Sequence, residues 1–131
     1  MVWSVEATLK RHLDVVFPGV QVAVSVGPVA LTKDRVIIVT GLATPVDGTT
    51  FAGKWTVDVT CLSRGDEDAG GVFEFAGQVM GAITGLVDSG RVPDLVSWKP
   101  LSLPALVGNP TPSRGHVAVR FALDIVAYYG D

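Results

Sequence analysis

A period of two in the large apolar side chains marks two long stretches of this chain. Between Phe51 and Ser63 every second residue is apolar, and the same is true between His116 and Tyr129. The first apolar row is Trp55, Val57, Val59 and Cys61. A period of two is typical of a half-buried β-strand, so both stretches are predicted to be strands. Neither strand carries a combination of residues suited to catalysis on either face.

A helical period marks the amino-terminal segment. Apolar residues recur there at spacings of four, four and three: Val5, Leu9, Leu13 and Val16. Ser4 is suited to cap this helix, and Pro18-Gly19 ends it. Two strands are predicted to follow, Val20–Val26 and Arg35–Thr40. The second contains four consecutive β-branched residues, which indicates a strand covered on both faces.

A second helix is predicted from about Val72 to Val87, after a short acidic loop at Arg64–Gly71. Glycines recur along it every four residues, at Gly77, Gly81 and Gly85. Each glycine costs about 1 kcal/mol of helix stability relative to alanine. Three in register therefore indicate close approach of another backbone, either that of the helix's own sheet or that of a neighbouring subunit.

Two further segments are predicted to be irregular. Leu42–Gly53 is dense in turn-forming residues, which predicts a mobile loop or an extended β-arm that is open to proteolysis. Pro93–Lys99 is a candidate short strand. Leu101–Ser113 contains three prolines together with Leu101, Leu103, Leu106 and Val107. It is predicted to be a loop that either orders against a partner or folds over its own core.

The predicted elements define one domain over residues 1–131 of the α+β class, with an antiparallel or mixed sheet flanked by two helices. Of the 131 residues, 48% are hydrophobic and 18% are charged. Charged residues usually make up about 25%, so part of the apolar surface is expected to meet other subunits. The alternative is an ordinary compact domain rich in valine and alanine.

Charge and chain organisation exclude several classes of partner. The net charge is −3 and the ten basic residues are scattered, so no nucleic-acid groove is predicted. The uncharged run Val15–Thr32 is broken by Pro18-Gly19 and Gly27-Pro28, so it is not predicted to span a membrane. The amino terminus lacks the basic and apolar regions of a signal peptide.

The sequence offers no catalytic or cofactor-binding constellation. The single cysteine, Cys61, lies in an apolar row and is expected to be buried. The two histidines, His12 and His116, lack metal-ligand spacing. The consecutive acids Asp66, Glu67 and Asp68 do not match a calcium loop, which needs carboxylates at alternate positions. We therefore expect no enzyme activity, no metal and no cofactor.

The order of these elements resembles a known family. A short amphipathic helix, strands before "KWTVDVTC", a helix after "RGDEDAGG" and a final strand "VAVRFALDIVAYY" follow one another along nearly the whole chain. In this order and in length the chain resembles the tail terminator, or tail completion, proteins of long-tailed bacteriophages.

The resemblance implies a structural role in the virion. Such proteins form a hexameric ring on the completed tail tube, end its polymerisation and present a surface to the head–tail connector, and DNA passes through the ring. The expected partners are copies of this chain, the tube protein and the connector. The expected contact residues are Asp66, Glu67, Asp68, Leu101, Leu103, Leu106 and Val107. The acidic residues are expected to meet bases such as Arg64, Arg91 or Arg114 of a neighbour.

Two alternatives remain open at this point. One is another neck or head–tail joining subunit of the same kind of virus, which would differ in the partner it binds. The other is a small ligand-binding α+β domain with a pocket between helix and sheet, against which the lack of a polar cluster counts.

Overall fold

The computed structural model describes residues 4–24, 31–45, 52–64, 69–107 and 116–128. In chain order the elements are α1 (Val5–Val16), β1 (Gln21–Val24), β2 (Arg35–Pro45), β3 (Ala52–Arg64), α2 (Ala69–Ser89), β4 (Leu95–Leu106) and β5 (His116–Tyr128). The strands form one sheet in the order β1-β2-β3-β5-β4. Only β1 and β2 pair in parallel among the described neighbours, so the sheet is mixed. The predicted α+β class is confirmed.

Helix α1 begins and ends where its sequence signals predict. The Ser4 side chain accepts a hydrogen bond from the Ala7 backbone at 3.2 Å, which satisfies one of the free amides of the first turn. After the last turn, Gly19 has a φ of 86°, a left-handed conformation that glycine adopts without strain. The apolar stripe buries Val5, Leu9 and Leu13 completely.

Both helices pack on the same face of the sheet. The predicted inward row of β3 is confirmed, since Trp55, Val57, Val59 and Cys61 are all buried there. Helix α1 covers β1 and β2, while α2 covers β3, β5 and β4. The buried side chains of α2 include Phe75, Val79 and Ile83. The core is therefore one layer between two helices and the sheet.

Within the part of the chain that the structure describes, the opposite face of the sheet has no helix over it. A small apolar cluster of Val36, Leu62 and Ala118 lies at one end of this face, with Leu31, Ile38 and Val107 packed against it. Val36 and Ile37 point to opposite faces and both are buried, which confirms cover on both sides of β2 at this end. Farther along β3 and β5 the face is polar.

The polar part of this face is held together by cross-strand contacts between β3 and β5. The Arg120 guanidinium donates to Asp58 Oδ1 at 2.9 Å, and the Thr56 hydroxyl donates to Asp124 Oδ1 at 3.0 Å. Lys54 approaches Asp124 at 3.8 Å. Exposed pairs of this kind contribute only about 0–1 kcal/mol each, so they favour the strand register more than they stabilise the fold.

Helix α2 differs from its prediction in two respects. It begins at Ala69, three residues before the predicted start at Val72. Its glycine row does not face the sheet, because Gly77, Gly81 and Gly85 are exposed and an added Cβ at each would meet nothing within 4 Å. The prediction of close contact with the chain's own sheet is wrong, and contact with a neighbouring subunit stays a prediction.

The predicted loop at Leu101–Ser113 is also wrong in its first half. Leu101–Leu106 continues strand β4, which pairs with β5 and forms an edge of the sheet. Pro100 and Pro104 fit here because an edge strand needs no outward hydrogen bond, and the pairing shifts register near both. Residues 108–113 lie outside the described residues.

The described parts of the segment Leu42–Gly53, residues 42–45 and 52–53, belong to two paired strands. Strand β2 extends to Pro45 and pairs with Gly53 of β3, so the described part of this segment is an extended β-arm and not a loop. Residues 46–51 lie outside the described residues.

Candidate functional site

The predicted contact leucines lie on the outer strand of the sheet. Leu101, Leu103 and Leu106 of β4 are 50%, 69% and 51% exposed. They occupy an edge strand, so no described strand lies beside β4 on the side away from β5. Single exposed leucines are common on protein surfaces, but three within six residues of one edge form an apolar strip. We call these three residues the β4 leucine strip.

The fourth predicted apolar contact residue behaves differently. Val107 is half-buried and packs against the small cluster of Val36, Leu62 and Ala118. Its backbone amide donates to the Ala118 carbonyl at 2.9 Å. Val107 therefore packs within its own subunit at the end of β4. This agrees with the alternative prediction, in which the segment folds over its own core.

A shallow groove connects the leucine strip to the helix-free face. Leu103 and Leu106 line it together with the Asp58–Arg120 pair, and its volume is about 380 Å³. The opposite charges of Asp58 and Arg120 cancel, so the groove offers an apolar surface beside a polar surface without net charge. This arrangement suits a protein surface better than a small charged ligand.

The acidic residues Asp66, Glu67 and Asp68 lie outside the described residues, as does Arg114. Of the bases expected to meet them, Arg64 is already paired, because its Nε lies 3.0 Å from Asp34 Oδ1 within the same chain. Arg91 follows the end of α2, is exposed and forms no ion pair with a described acid. Of these bases, Arg91 is therefore the one within the described residues that is available to pair with an acid of a neighbouring subunit.

A second groove, of about 520 Å³, lies between the two helices, and we call it the interhelical groove. Its lining combines apolar and basic side chains and contains no carboxylate: Thr8, Arg11, His12, Val15, Leu86, Arg91 and Val92. Val15 is 79% exposed, which makes the apolar part accessible. The groove thus combines two arginines with accessible aliphatic side chains.

Two titratable groups have shifted pKa values. Partial burial lowers the pKa of His12, a hydrogen bond with the backbone of Ala82 opposes this, and the charge on Arg91 lowers the pKa further. Burial raises the pKa of Cys61 to about 12, which keeps the thiol protonated and unreactive at neutral pH.

Over the described ranges, no group of three His, Cys, Asp or Glu side chains is arranged to hold a metal ion. The helix segment Gly70–Ser89 is long and apolar enough to cross a membrane by length and composition alone. Its Phe75, Val79 and Ile83 are buried in the core of this domain, so one face of the helix packs against the sheet.

The sequence analysis did not predict the interhelical groove, although the residues that α1 contributes to it share a helical spacing. Thr8, Arg11, His12 and Val15 are spaced three, one and three residues apart, which places them on one face of a helix. The contribution of Arg91, some eighty residues later, follows only from the packing of α2 on α1. The sequence matches no protein-family model and no curated protein.

Proposed function

We propose that this protein is a tail terminator subunit of a long-tailed bacteriophage. In this role it forms a ring, with six copies expected, on the end of a completed tail tube. The ring ends polymerisation of the tube and joins the tail to the head–tail connector. DNA passes through the ring without sequence-specific contact. The protein acts in the virion as a structural component and not as an enzyme.

The observation that carries the proposal is the exposed β4 leucine strip. An apolar strip on a sheet edge is unfavourable in an isolated subunit, because it leaves aliphatic side chains in water next to unpaired backbone groups. Burying it against a neighbour removes both costs. Leucine side chains stabilise a contact by about 1.5–3 kcal/mol each when fully buried, which exceeds the contribution of exposed ion pairs.

The two edges of the sheet also support ring formation. Among the described residues, one edge is β4 and the other is the four-residue strand β1. A ring needs a heterologous contact between two different surfaces of the same subunit. A subunit with two unlike edges supplies different surfaces at opposite sides.

The test is the mass of the protein in solution, combined with imaging of purified particles for rings and of tail tubes for capped ends. Leu103→Asp and Leu106→Asp are expected to disperse the ring to monomers, because each places a charge in an apolar contact. Val15→Asp is the matched control, since Val15 is an aliphatic residue that is 79% exposed on α1 and lies in neither edge strand of the sheet. It is expected to leave the ring intact.

Several results would contradict the proposal. A wild-type chain that remains monomeric even beside tube ends would do so, as would rings that tolerate both aspartate changes. Rings that bind the connector but leave tube ends free would instead identify a head–tail joining subunit. A monomer that retains a small molecule through purification would favour the ligand-binding alternative.

A further inference from the structure

The interhelical groove contains positive charge that the described part of the chain does not neutralise. Arg11 and Arg91 line it, and neither forms an ion pair with a described acid. Arg120, by contrast, is paired with Asp58 at 2.9 Å. An anionic group that enters the groove would therefore gain attraction from two guanidinium groups without displacing a pair that is already formed.

The two arginines come from different parts of the chain and meet beside His12. Arg11 directly precedes His12 on α1. The charge on Arg91 lowers the pKa of His12, which places that guanidinium near the imidazole. The imidazole also has a hydrogen bond with the backbone of Ala82 on α2, so it is held between the two helices. An anion in this space would meet both guanidinium groups.

Aliphatic side chains line the groove next to these charges. Val15 is 79% exposed, and Leu86 and Val92 also belong to the lining. An inorganic anion would leave Val15 in water, whereas a hydrocarbon chain would cover it and gain up to about fourfold in affinity per buried methylene. The groove holds about 520 Å³, and small-molecule sites usually hold about 300–1,000 Å³. The lining therefore matches a small organic acid with an aliphatic chain.

The carboxyl-terminal end of α2 opposes an anion in the groove only weakly. A helix carries about half a negative charge at that end, and each arginine carries a full positive charge. Two carbonyl groups of the last turn are also hydrogen-bonded. The Leu86 carbonyl accepts from the Ser89 hydroxyl at 2.8 Å, and the Val87 carbonyl accepts from the Gly90 amide at 3.4 Å. The charge in the groove therefore remains positive.

We propose that the interhelical groove is a binding site for an aliphatic monocarboxylate, such as a medium-chain fatty acid. Arg11 and Arg91 bind the carboxylate. Val15, Leu86 and Val92 contact the hydrocarbon chain. The site lies between the helices, whereas the leucine strip of the proposed ring lies on β4. The inference therefore goes beyond the proposed function and applies equally to an isolated subunit.

Titration calorimetry with octanoate measures the binding. One site per chain is expected, with a dissociation constant below about 1 mM. Acetate supplies the carboxylate without the chain, and octanol supplies the chain without the charge. Each is expected to bind at least about tenfold more weakly than octanoate. From butanoate to octanoate, affinity is expected to rise about two- to fourfold for each added methylene.

Single-charge variants test the two arginines. Arg11→Gln and Arg91→Gln are each expected to weaken octanoate binding about tenfold, because each removes a charge-assisted hydrogen bond to the carboxylate. Lys33→Gln is the matched control, since Lys33 is an exposed base that lines a different cavity. It is expected to bind octanoate like the wild type. Circular dichroism establishes that each variant folds.

His12 reports where the ligand lies. The charged groups that line the groove with it are Arg11 and Arg91, and Arg91 lowers its pKa. Bound octanoate is expected to raise the pKa of His12, because a nearby carboxylate favours the imidazolium. Proton NMR at a series of pH values measures this change, and His12→Gln identifies the His12 signals. Binding that leaves the pKa of His12 unchanged would place octanoate elsewhere and overturn the inference.

Further outcomes would also overturn it. One is the absence of octanoate binding up to about 10 mM. Another is acetate or octanol binding as tightly as octanoate, which would make the groove a site for any anion or for any apolar chain. A third is octanoate binding that both arginine variants retain in full.

Two aspartate variants separate this inference from the proposed function. Val15→Asp places a carboxylate where the hydrocarbon chain is expected, so it should weaken octanoate binding at least about tenfold and leave the ring intact. Leu103→Asp should disperse the ring and bind octanoate like the wild type. Rings that cap tubes but do not bind octanoate would leave the function standing and remove the inference. A chain that binds octanoate but never caps a tube would do the reverse.

Discussion

Cys61 shows how position in the sheet determines the chemistry of a single residue. Its side chain is fully buried and its pKa is raised to about 12 by burial. At about pH 8 only about one thiol in ten thousand is ionised, and the thiolate is the reactive form. The residue therefore acts as a small apolar side chain in the core.

We predict that Cys61 in the folded protein does not react with a thiol reagent at about pH 8 and reacts rapidly once urea unfolds the chain. Cys61→Ala is expected to lower the free energy of unfolding by about 1 kcal/mol and to leave assembly unchanged. Absorbance of the released thiol label checks the first part. Rapid labelling under native conditions would show that the strand opens locally.

His12 couples the stability of the helix pair to pH. Its pKa in the folded state is lowered by burial and by Arg91, with Arg11 also lining the same groove. The unfolded chain therefore binds the proton more readily than the folded protein does. The stabilisation is present above the unfolded pKa of about 6.5 and is lost as the pH falls through the lower folded pKa.

We predict that His12→Gln reduces the dependence of stability on pH between about pH 8 and about pH 5.5. The wild type is expected to lose stability over this range, and the variant is expected to lose less because glutamine does not titrate. Urea unfolding at each pH gives the free energies. Identical pH profiles for the two proteins would show that other groups cause the change.

At the scale of elements, Gly81 and Gly41 differ in the space available to the methyl group of an alanine. Gly81 is exposed on α2, and an added Cβ there would meet nothing within 4 Å. Gly41 lies on β2 beneath α1, where an added Cβ would come within 2.8 Å of Glu6 Cγ. The first glycine weakens its helix, while the second permits α1 to approach the sheet.

We predict that Gly81→Ala raises the free energy of unfolding by about 0.5–1 kcal/mol, because alanine loses less backbone entropy in a helix. Gly41→Ala is expected to lower it by about 1 kcal/mol, since Glu6 must move to avoid the new methyl group. Urea denaturation of both variants measures the difference. Effects of the same sign would mean that the spacing between α1 and β2 does not limit stability.

Part of strand β4 was predicted to be a loop because proline is rare in strands. Two prolines, Pro100 and Pro104, lie within it, and proline normally interrupts strands because it lacks an amide hydrogen. An edge strand needs only one side of its backbone for pairing, so Pro100 and Pro104 are accommodated with shifts of register. The same residues make the edge less able to extend the sheet indiscriminately.

At the scale of the whole molecule, the helices lie on one face and the exposed leucines lie on the outer edge. Stability and association should therefore depend on different residues. Leu123 of β5 is fully buried in the core, whereas Leu103 of β4 is 69% exposed. The two leucines lie on neighbouring strands, which makes them a matched pair for the same substitution.

We predict that Leu123→Ala lowers the free energy of unfolding by about 2–5 kcal/mol, the usual cost of a cavity in a core. Leu103→Ala is expected to change the stability of the monomer by less than about 0.5 kcal/mol and to weaken the ring. Unfolding is measured at concentrations low enough to keep the chain monomeric. A large loss of monomer stability in Leu103→Ala would show that the strip supports the fold instead of a partner.

The amino-acid sequence by itself determined the local elements and the class of fold. The period of two in β3 and β5, the stripe and cap of α1 and the long apolar run of β2 are all consequences of neighbouring residues in the chain. Such patterns predict which residues are buried, because burial follows the repeat of the element. They do not specify which strand lies at an edge.

Only the tertiary structure decided the candidate sites. The order β1-β2-β3-β5-β4 places β4 at an edge, which turns a predicted loop into a strand with exposed leucines. The packing of α2 on α1 brings Arg91 to Arg11 and His12, and the same packing turns the glycine row outward. These contacts join residues far apart in sequence, and no local repeat encodes such distances because they depend on how whole elements pack.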